Sequence, residues 1–483
     1  MRDMQREQDS GSRPHSGPLV VPRAEHSISR KQIDADALKV LYRLHQNNFA
    51  AYLVGGSVRD LLLGRHPKDF DIGTDAHPYQ VKRLFRNCWI IGRRFRLAHV
   101  RFGTKTIEVA TFRRQVSATE LAMANDAEPI PLAAGSASRH PAHESGSSPR
   151  HAGDETDSGD ADLDRLVHRD NTFGTPEQDA FRRDFTINAL FYDIATFSII
   201  DYTGGLDDLQ HGIVRCIGDP AERFQEDPVR MLRAVAMAAR LGFRMDPPVD
   251  EAIATYRADI ARSAPARLIE EFYKLLRSGA SEQAFRMAAD RRLLEPIAPE
   301  LQNSAGQTLW DSLAALDTYR RRFDTAPDTL TNAILLGSLL LPLGHTLRSL
   351  TAAPVEPEEQ SADSIGNESA DRRRFDARKE PRLSLGMLPL ARRDVERLRQ
   401  ILSLQRRLMD MSLSPRARRA LTHRGPFREA LTWLEIHGHA PDVLEHWRGF
   451  IEAAGTFEEE IAEAPMRRRR RRRRRSFRPR TPH

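Results

Sequence analysis

The sequence is most informative at Val54-Gly55-Gly56-Ser57-Val58-Arg59-Asp60 and, nine residues further on, at Asp69-Phe70-Asp71-Ile72. Glycines after a strand let the backbone approach a phosphate closely, and the start of the following helix directs N–H groups and a positive dipole end at an anion. Two acids separated by one residue on a strand project to the same face, because side chains alternate along a strand. Paired carboxylates suit Mg²⁺, which takes hard oxygen ligands and bridges substrate phosphates. These segments therefore predict a phosphate-binding turn beside a site for two metal ions.

The segments around these motifs predict a mixed α/β fold followed by helices. Apolar residues recur at helical spacing from Ile33 to Phe49. From Asp227 onward the pattern is almost wholly helical, with Asp227-Pro228 as the N-cap and first turn of a helix that Gly242 is placed to end. The other predicted elements of the first region are strands at Ala51 to Val54, Phe70 to Ile72, Trp89 to Ile91, Ala98 to Phe102 and Thr106 to Thr111, and a helix at Pro78 to Phe85.

The net charge of +7 hides an uneven distribution. The chain has 74 Lys and Arg against 67 Asp and Glu, but eleven of the arginines lie in Met466 to His483, which contains no acid. The rest of the chain has a slight excess of acids, which excludes a uniformly basic structural protein. The two cysteines, Cys88 and Cys216, are too few for a disulfide framework and favour a reducing compartment. No apolar run reaches the roughly 18 residues of a membrane span and the N-terminus has no signal-peptide core, so we expect a soluble cytoplasmic protein.

In their order and spacing, the glycine and Asp-x-Asp motifs resemble those of the DNA polymerase beta-like nucleotidyltransferase superfamily. The Gly-Gly-x-Val-Arg-Asp form is similar to that of its template-independent branch, the bacterial poly(A) polymerases and class II CCA-adding enzymes. The resemblance covers Ile28 to Arg113 and Arg169 to Ile297. It implies that Asp69 and Asp71 hold catalytic Mg²⁺. It also implies that the nucleotide is bound by residues of the glycine motif, namely Gly55, Gly56, Ser57, Arg59 and Asp60.

Two further acids are candidates for the catalytic site. The segment Arg182-Arg183-Asp184-Phe185-Thr186-Ile187-Asn188 resembles the Arg-Arg-Asp motif of this family. The resemblance implies that Arg183 contributes to nucleotide recognition through the ribose and that Asp184 is a third essential acid. Glu108 stands in Ile107 to Arg113, where a strand carboxylate could face the metals, and a position on the strand surface is its alternative.

A base-recognition helix is predicted where Glu226-Asp227-Pro228-Val229-Arg230 resembles another motif of the family. Asp227 and Arg230 are three residues apart and can reach one side of a helix. A carboxylate accepts a hydrogen bond from an exocyclic amine, while a guanidinium donates to a ring nitrogen. Adenine and cytosine present this pattern, whereas guanine and uracil reverse it and would leave polar groups unpaired at about 1–3 kcal/mol each. The pair therefore predicts rejection of GTP and UTP and leaves ATP against CTP open; an ordinary capped helix is the alternative.

Two features favour poly(A) addition over CCA addition. The segment Ile90 to Val100 resembles one in bacterial poly(A) polymerases, and its Arg93, Arg94 and Arg96 are candidates for binding the triphosphate or the RNA end. An arginine-rich tail also fits that resemblance, because adjacent arginines repel one another, stay disordered in the free protein and attract phosphates without regard to sequence. A solubility or targeting role is the alternative for the tail. Its candidate RNA-binding residues are Arg467, Arg468, Arg469, Arg470, Arg471, Arg472, Arg473, Arg474 and Arg475.

The predicted fold class is an α/β nucleotidyltransferase head with a small mixed sheet and helices, followed by an all-α neck, body and C-terminal helical region, with disordered termini. A polar insertion at about 117–168 lies within the head, either as an inert surface linker or between two parts of one site. The predicted segments are a disordered N-terminus at 1–28, the catalytic head at 29–215, a helical neck and RNA-binding body at 216–350, a linker at 351–384, a C-terminal helical region at 385–458 and an arginine-rich disordered tail at 459–483.

Together these patterns predict a template-independent poly(A) polymerase that adds AMP from ATP to RNA 3′ ends by a two-metal mechanism and releases pyrophosphate. We expect a role in RNA polyadenylation and turnover, with RNA 3′ ends, ATP and RNA-decay proteins as partners and Mg²⁺ as the cofactor. Addition of CCA to tRNA is the alternative enzyme. A non-catalytic RNA-binding adaptor is the alternative from another class.

Overall fold

The computed structural model describes residues 17–92, 96–115, 172–344 and 384–463. The predicted insertion at 117–168 and nearly all of the predicted linker at 351–384 lie outside the described residues. The same holds for Arg93, Arg94 and the tail from Arg467 to Arg475.

The described residues form two compact units. The first consists of the described parts of 1–275, 283–303 and 386–388, and the second of those of 276–282, 304–385 and 389–483. This division falls within the predicted neck-and-body segment 216–350, and the predicted segment boundaries stay a prediction.

An eight-stranded mixed sheet organises the first unit, in the order β1-β8-β7-β2-β3-β6-β5-β4. The central strands β3 and β6 are parallel to each other, and every other neighbouring pair in this sheet is antiparallel. This arrangement confirms the predicted mixed α/β head. The strands are β1 Leu19–Val21, β2 Ala51–Val54, β3 Asp71–Thr74, β4 Cys88–Ile91, β5 Leu97–Phe102, β6 Lys105–Thr111, β7 Leu190–Asp193 and β8 Ser198–Asp201.

Residues 17–28 are ordered, which corrects the predicted disordered N-terminus over that range. Leu19–Val21 forms the edge strand β1 and pairs with β8, and Ile28 is fully buried. A three-residue strand carries little signal of its own, and its partner lies about 180 residues away in the chain. The local sequence therefore predicts a polar linker, although β1 pairs with β8 in the folded protein.

Helices α1 Ala35–Gln46 and α3 Pro78–Leu84 pack on the sheet. Asp34 caps α1 by accepting hydrogen bonds from the backbone N–H groups of Asp36 and Ala37. The buried face of α1 consists of Ala37, Val40, Leu41 and Leu44, which is the apolar pattern at helical spacing predicted from the sequence. The short helix α2 Gly56–Leu62 follows β2 directly.

The rest of the first unit is mainly helical, with a short parallel pair formed by β9 Ile213–Val214 and β10 Arg244–Met245. As predicted, Gly242 ends the helix Val229–Leu241 (α7), at a left-handed φ of 75°. Single turns of 3₁₀ helix occur at Arg23–Glu25, Arg30–Gln32 and Thr186–Asn188, and a longer one at Arg257–Arg262. The helices of this part are α4 Pro176–Phe181, α5 Gly205–His211, α6 Pro220–Glu226, α7 Val229–Leu241, α8 Pro247–Tyr256, α9 Pro265–Leu276, α10 Ser281–Asp290 and α11 Pro299–Asn303. The last residue of α9 and the first two residues of α10 belong to the second unit.

The second unit is a helical body. Its core includes helix α13 (Asn332–Leu340), whose residues Ala333 to Leu340 are all buried. Asp317 of α12 accepts hydrogen bonds from the N–H and hydroxyl of Ser281 and from the N–H of Glu282, so a buried carboxylate caps that neighbouring turn. The short strands β11 Ser384–Leu385 and β12 Leu388–Pro389 precede its C-terminal helices. Its helices are α12 Gln307–Arg320, α13 Asn332–Leu340, α14 Arg392–Leu408, α15 Pro415–Thr422, α16 Phe427–His437 and α17 Pro441–Glu463.

Among the helices of the described residues, none is long and apolar enough to cross a membrane. The two cysteines, Cys88 and Cys216, are free and buried. Burial and the neighbouring Asp184 raise the pKa of the Cys216 thiol to about 12, which keeps it protonated and unreactive at neutral pH.

Candidate active site

The glycine motif forms a tight turn between β2 and α2. Gly55 has a φ of +73°, and its N–H donates to the Leu190 carbonyl at 3.1 Å. A Cβ at this position would lie 3.0 Å from Nη1 of Arg183, so both the backbone conformation and the close approach call for glycine. The neighbouring Ser57 is buried, and its hydroxyl donates to the Val54 carbonyl at 2.9 Å. That hydroxyl therefore stabilises the turn, and the expected contact of Ser57 with a phosphate stays a prediction.

Arg59 and Asp60 lie in a buried network that joins α2 to α7. Nε and Nη2 of Arg59 donate to Oδ1 of Asp60 at 2.8 and 2.7 Å, and Nη1 donates to Oδ1 of Asn188 at 2.5 Å. The second oxygen of Asp60 accepts from Arg240 of α7 at 2.8 Å. Burial lowers the pKa of the Arg59 guanidinium, and the adjacent Asp60 partly offsets that effect. Both oxygens of Asp60 are thus engaged by arginines, Arg59 reaches the cavity from a fixed internal position, and the expected contact of Asp60 with nucleotide stays a prediction.

The acids of the second motif lie at the start of β3, in the middle of the sheet. Asp71 is the first residue of β3, and the pairing of Ile72 with Val109 places Glu108 of the parallel strand β6 beside it. Desolvation, followed by the charges of Glu108 and Asp69, raises the pKa of the Asp71 carboxyl to about 6, against the opposing charge of Arg183. Glu108 is half-exposed, with His99 Nε2 at 3.7 Å from its carboxylate. The fold thus brings the three predicted sheet carboxylates into one electrostatic cluster.

Arg183 of the Arg-Arg-Asp segment is held by an acid that the sequence analysis missed. Asp179, on α4, accepts from Arg183 Nη2 at 2.8 Å and from Arg182 Nε at 2.8 Å. Burial by itself would raise the pKa of Asp179, but the two guanidinium groups outweigh it and lower that pKa. Nη1 of Arg183 also donates to the carbonyl of Asn188 at 3.1 Å. The signal was available, because an acid three and four residues before two arginines on a helix is the spacing of side-chain ion pairs.

Asp184 is buried, with 8% of its surface exposed. One carboxylate oxygen accepts from the N–H of Phe185 at 2.9 Å and from Asn188 Nδ2 at 3.4 Å. The other lies 2.5 Å from a guanidinium nitrogen of Arg233 on α7. Asp184 therefore ties its own turn to α7, and its predicted role as a third essential acid stays a prediction.

The base-recognition residues lie at the junction of α6 and α7. The sequence predicted that the Asp227 side chain caps α7, but it does not. Its carboxylate instead accepts a hydrogen bond from Arg267 of α9 at 2.8 Å. Its second oxygen is buried and has no hydrogen-bond partner among the described residues. Arg230 donates to Glu226 at 2.7 Å and to the Arg223 carbonyl at 2.9 Å. Asp227 and Arg230 are thus each held by a different partner.

A further acidic loop supports this arrangement and was also missed. Asp201, at the end of β8, accepts hydrogen bonds from four successive backbone N–H groups, those of Thr203, Gly204, Gly205 and Leu206. Asp208 accepts from the Thr186 hydroxyl at 2.7 Å and binds Arg215 at 3.0 Å. Gly205 is required here, because a Cβ would lie 2.3 Å from the Thr186 carbonyl oxygen. The Asp-x-x-Gly-Gly spacing predicts a turn. Asp208, which follows that turn, holds the Arg-Arg-Asp segment through the Thr186 hydroxyl.

These elements surround a cavity of about 860 Å³. Nine arginines and four acids line it, so its excess of positive charge suits a polyanion such as a triphosphate. Asp69, Glu108 and Arg96 are exposed or half-exposed and do not line it. The lining residues are Gly55, Gly56, Arg59, Asp71, Arg114, Gln115, Arg182, Arg183, Asp184, Asn188, Arg223, Glu226, Asp227, Arg230, Arg233, Arg240 and Arg267.

Three protein-family models match successive parts of the chain. They describe the poly(A) polymerase head domain at residues 51–215, a probable RNA- and SrmB-binding site of polymerase A at 242–304, and the arginine-rich C-terminus of polymerase A at 384–480. The third match includes the predicted arginine-rich tail.

Curated relatives carry two kinds of name. Poly(A) polymerase I of Salmonella typhimurium is 45% identical over 290 residues, which is 60% of this chain and 55% of that protein. Poly(A) polymerase I of Escherichia coli O157:H7 is 45% identical over 58% of this chain and 54% of its own. The CCA-adding enzyme of Bacillus subtilis is 33% identical over 54% of this chain and 55% of its own. The chain therefore spans about half the length of the curated relatives it matches.

A solved structure confirms the fold. The CCA-adding enzyme of Bacillus stearothermophilus, crystallised in complex with CTP, superposes with a TM-score of 0.55 over 86% of this chain and 82% of that one, at 24% identity. The three family models, which together match most of the chain, and the curated relatives place it in the family of bacterial poly(A) polymerases and CCA-adding enzymes.

Proposed function

We propose that the protein is a polynucleotide adenylyltransferase that adds AMP from ATP to RNA 3′ ends and releases pyrophosphate. One observation carries the proposal: the glycine turn, Asp71 and the pair Asp227 and Arg230 face the same arginine-lined cavity. The cavity therefore offers a triphosphate site, a carboxylate for metal and a base-recognition pair at once. The relatives named poly(A) polymerase I, at 45% identity, favour AMP as the nucleotide added.

The residues at β3 fit Mg²⁺ as the cofactor. Mg²⁺ is commonly held by one or two carboxylates together with waters and substrate phosphates, and Asp69 and Asp71 supply two carboxylates. In the described part of the chain, no group of three or more His, Cys, Asp or Glu side chains is arranged to hold a metal by itself. The substrate phosphates would therefore complete the ligand set of two ions. When bound, such a pair activates the attacking hydroxyl and neutralises charge on the leaving group.

The chain's own residues would then bind and orient the reactants. Arg183, fixed by Asp179 and close to both Gly55 and Asp71, is placed to bind a phosphate oxygen or the ribose at the reacting end of ATP. The RNA 3′-oxygen forms a bond to the α-phosphorus while the bond from that phosphorus to the α,β-bridging oxygen breaks; pyrophosphate leaves, and the hydroxyl proton passes to solvent. The excess of cavity arginines offsets the charge of the departing pyrophosphate.

Nucleotide choice is assigned to Asp227 and Arg230. The unpartnered oxygen of Asp227 is placed to accept from an exocyclic amine, and Arg230 can donate to the adjacent ring nitrogen. Guanine and uracil would leave both groups unpaired. Because cytosine offers the same pattern as adenine, the preference for ATP over CTP rests on the relatives and not on this pair.

The remaining expectations follow from this activity. We propose RNA 3′ ends as the macromolecular substrate, captured in part by the arginine-rich tail, and a role in polyadenylation and turnover of mRNA with RNA-decay proteins as partners. We also propose a cytoplasmic location, because two free, buried cysteines fit a reducing compartment.

A direct experiment tests the activity. The purified chain is given Mg²⁺ and either ATP or CTP, with an unstructured RNA or with a tRNA that lacks its CCA end. We expect long A tracts on the unstructured RNA. Incorporation of CTP confined to the tRNA would overturn the proposal in favour of CCA addition, which the 33% identity to a CCA-adding enzyme keeps as the second candidate.

A double substitution separates the enzyme from a non-catalytic RNA-binding adaptor. Asp69→Ala with Asp71→Ala should abolish AMP addition and leave RNA binding intact, because neither residue belongs to the positively charged surfaces assigned to RNA. A wild-type chain that binds RNA and transfers no nucleotide under any metal condition would support the adaptor.

A further inference from the structure

One face of the strands β4, β5 and β6 is open in the described structure. Side chains alternate along each strand, and the buried set of β6 is Ile107, Val109 and Thr111. The opposite set of β6 includes Thr106 and Glu108, both exposed. Helices α1 and α3 pack on the buried side. The three strands therefore present their other side chains to solvent, on the same face as the catalytic carboxylates.

A cross-strand row on this face leads from Asp71 to the edge of the sheet. The register places Asp71 beside Glu108, Glu108 opposite His99, and His99 opposite Trp89. Residues directly paired in register share a face of the sheet. The row therefore runs Asp71, Glu108, His99, Trp89, and its length is about 14 Å at roughly 4.8 Å per strand.

The outer end of the row is an exposed aromatic surface. Trp89 is 52% exposed and Ile91, two residues along the same edge strand, is 51% exposed. Within the described residues the ring of Trp89 makes no aromatic or cation–π contact. A large indole left in solvent on an edge strand carries a cost in solubility and aggregation, so it calls for a binding role.

Positive charge accompanies this aromatic surface. Arg101 lies on the open face two residues after His99, and Arg96 precedes β5; both are exposed. Aromatic rings beside basic side chains are the usual means of holding single-stranded RNA, since each base stacks on a ring while the phosphates meet the cations. The same combination does not suit a protein partner equally well, because the row ends at carboxylates that must meet an RNA 3′ end in the proposed reaction.

We propose that Trp89 is a stacking platform for a base of the RNA substrate, upstream of the 3′ end, with His99 and Arg101 along the path. This inference rests on the proposed function, which places the 3′-hydroxyl near Asp71. At about 3.4 Å per stacked nucleotide, a 14 Å row corresponds to roughly four nucleotides. The platform would therefore hold the strand that leads into the site and leave ATP binding to the cavity.

The test compares Trp89→Ala, Trp89→Phe and the matched control Tyr79→Ala. Tyr79 is 63% exposed but belongs to α3, which covers the other side of the sheet. We expect Trp89→Ala to raise KM for a ten-nucleotide oligo(A) primer on the order of tenfold, the usual effect of losing one base–aromatic stack. KM for ATP should change little, Trp89→Phe should recover most of the loss, and Tyr79→Ala should resemble wild type.

Primer length supplies a readout that a general folding defect would not reproduce. The loss in Trp89→Ala should be large for a ten-nucleotide primer and much smaller for a dinucleotide, which is too short to span the row. An equal loss at both lengths, an equal loss in Tyr79→Ala, or no loss at all would overturn the platform.

Binding without chemistry separates this proposal from the proposed function. Anisotropy of a fluorescent ten-nucleotide oligo(A), measured without ATP, should show the same weakening in Trp89→Ala. If wild type transferred no AMP but Trp89→Ala still weakened RNA binding, the function would fail and the platform would stand. If wild type transferred AMP and Trp89→Ala bound RNA normally, the platform would fail by itself.

Discussion

The acids of the sheet and the acids around the cavity differ in whether they form ion pairs with arginine. The sheet carboxylates, Asp69, Asp71 and Glu108, have no lysine or arginine ion pair among the described residues, and their mutual repulsion helps to raise the pKa of Asp71 to about 6. The paired acids, which we define as Asp179, Asp184, Glu226 and Asp227, each meet at least one arginine. The first group is built to receive positive charge, whereas the second already holds it and positions arginines for a ligand.

This difference explains how one site can bind both a cation and a polyanion. A carboxylate in a salt bridge is a poor metal ligand, because the arginine has already satisfied it. An arginine side chain without a carboxylate beside it samples many rotamers, and fixing one rotamer on ligand binding costs conformational entropy. Leaving some acids unpaired and pairing others therefore serves metal binding and preorganisation separately.

The largest expected effect comes from removing a sheet carboxylate. Asp71→Ala should lower the rate of AMP addition at least about 10²–10³-fold, the scale seen when a group that stabilises transition-state charge is lost. Initial rates with saturating ATP and RNA would measure it. Asp219→Ala, which removes an exposed-loop acid that caps α6, should retain a rate within a few-fold of wild type. Comparable losses in both variants would mean that the sheet carboxylates have no special role.

The next effect concerns the stability conferred by a paired acid. Asp179→Ala should destabilise the chain by about 3–5 kcal/mol, because it leaves Arg182 and Arg183 without their buried partner. The midpoint of urea unfolding would report it. Glu295→Ala removes the exposed partner of Arg292 in the same unit and should cost less than about 1 kcal/mol. Similar midpoints for the two variants would show that the Asp179 pairs add no stability.

A smaller effect is expected on nucleotide choice. Asp227→Asn replaces an acceptor with an amide and should reduce discrimination against GTP and UTP by about 1–3 kcal/mol, or roughly 5- to 150-fold. Competition between labelled nucleotides during RNA extension would measure the ratio. The exposed acid of α6, changed in Glu222→Gln, serves as the control and should keep wild-type selectivity. If Asp227→Asn retained full selectivity, the base would be chosen elsewhere.

The smallest effect is on the stability of the metal-free protein. Asp71 binds its proton more tightly in the folded chain, with a pKa of about 6 against an ordinary 3.8, so its ionisation favours unfolding. The stability contributed at this site therefore falls as pH rises from about 4 through about 6. Asp71→Asn removes that loss and should raise Tm by a few degrees at pH 7.5 but little at pH 4.

Added Mg²⁺ provides the complementary arm of that measurement. Wild type should gain stability from Mg²⁺ with ATP at pH 7.5, and Asp71→Asn should gain much less. A lower Tm for Asp71→Asn than for wild type at pH 7.5 without metal would contradict the idea that the sheet carboxylates repel one another.

Much of the fold follows from local pattern. The observed strand Ala51–Val54 coincides with the predicted one, and α3 Pro78–Leu84 differs from its prediction by a single residue. Strand alternation, glycines after helices and apolar spacing are properties of neighbouring residues, so a single sequence reveals them. The Asp-x-Asp pair at Asp69 and Asp71 is local in the same sense.

The errors arise where a distant residue decides what a side chain does. The sequence gives no sign that Asp60 accepts a hydrogen bond from Arg240, which lies on a helix 180 positions later. Asp227 was expected to cap α7, but its carboxylate accepts a hydrogen bond from Arg267 of α9 instead. The edge strand β1 escaped notice because its partner β8 lies far along the chain. Each depends on tertiary contact, which neither periodicity nor capping pattern can indicate.

The contrast between unpaired and paired acids is tested most directly by calorimetry of Mg²⁺ binding in the presence of α,β-methylene ATP, which cannot transfer its nucleotide. Wild type, Asp71→Asn and Asp184→Asn would be compared at pH 7.5. We predict that Asp71→Asn loses most of the Mg²⁺ affinity, while Asp184→Asn, whose acid already pairs with Arg233, keeps it within a few-fold. Loss of Mg²⁺ affinity in Asp184→Asn with retention in Asp71→Asn would contradict the account.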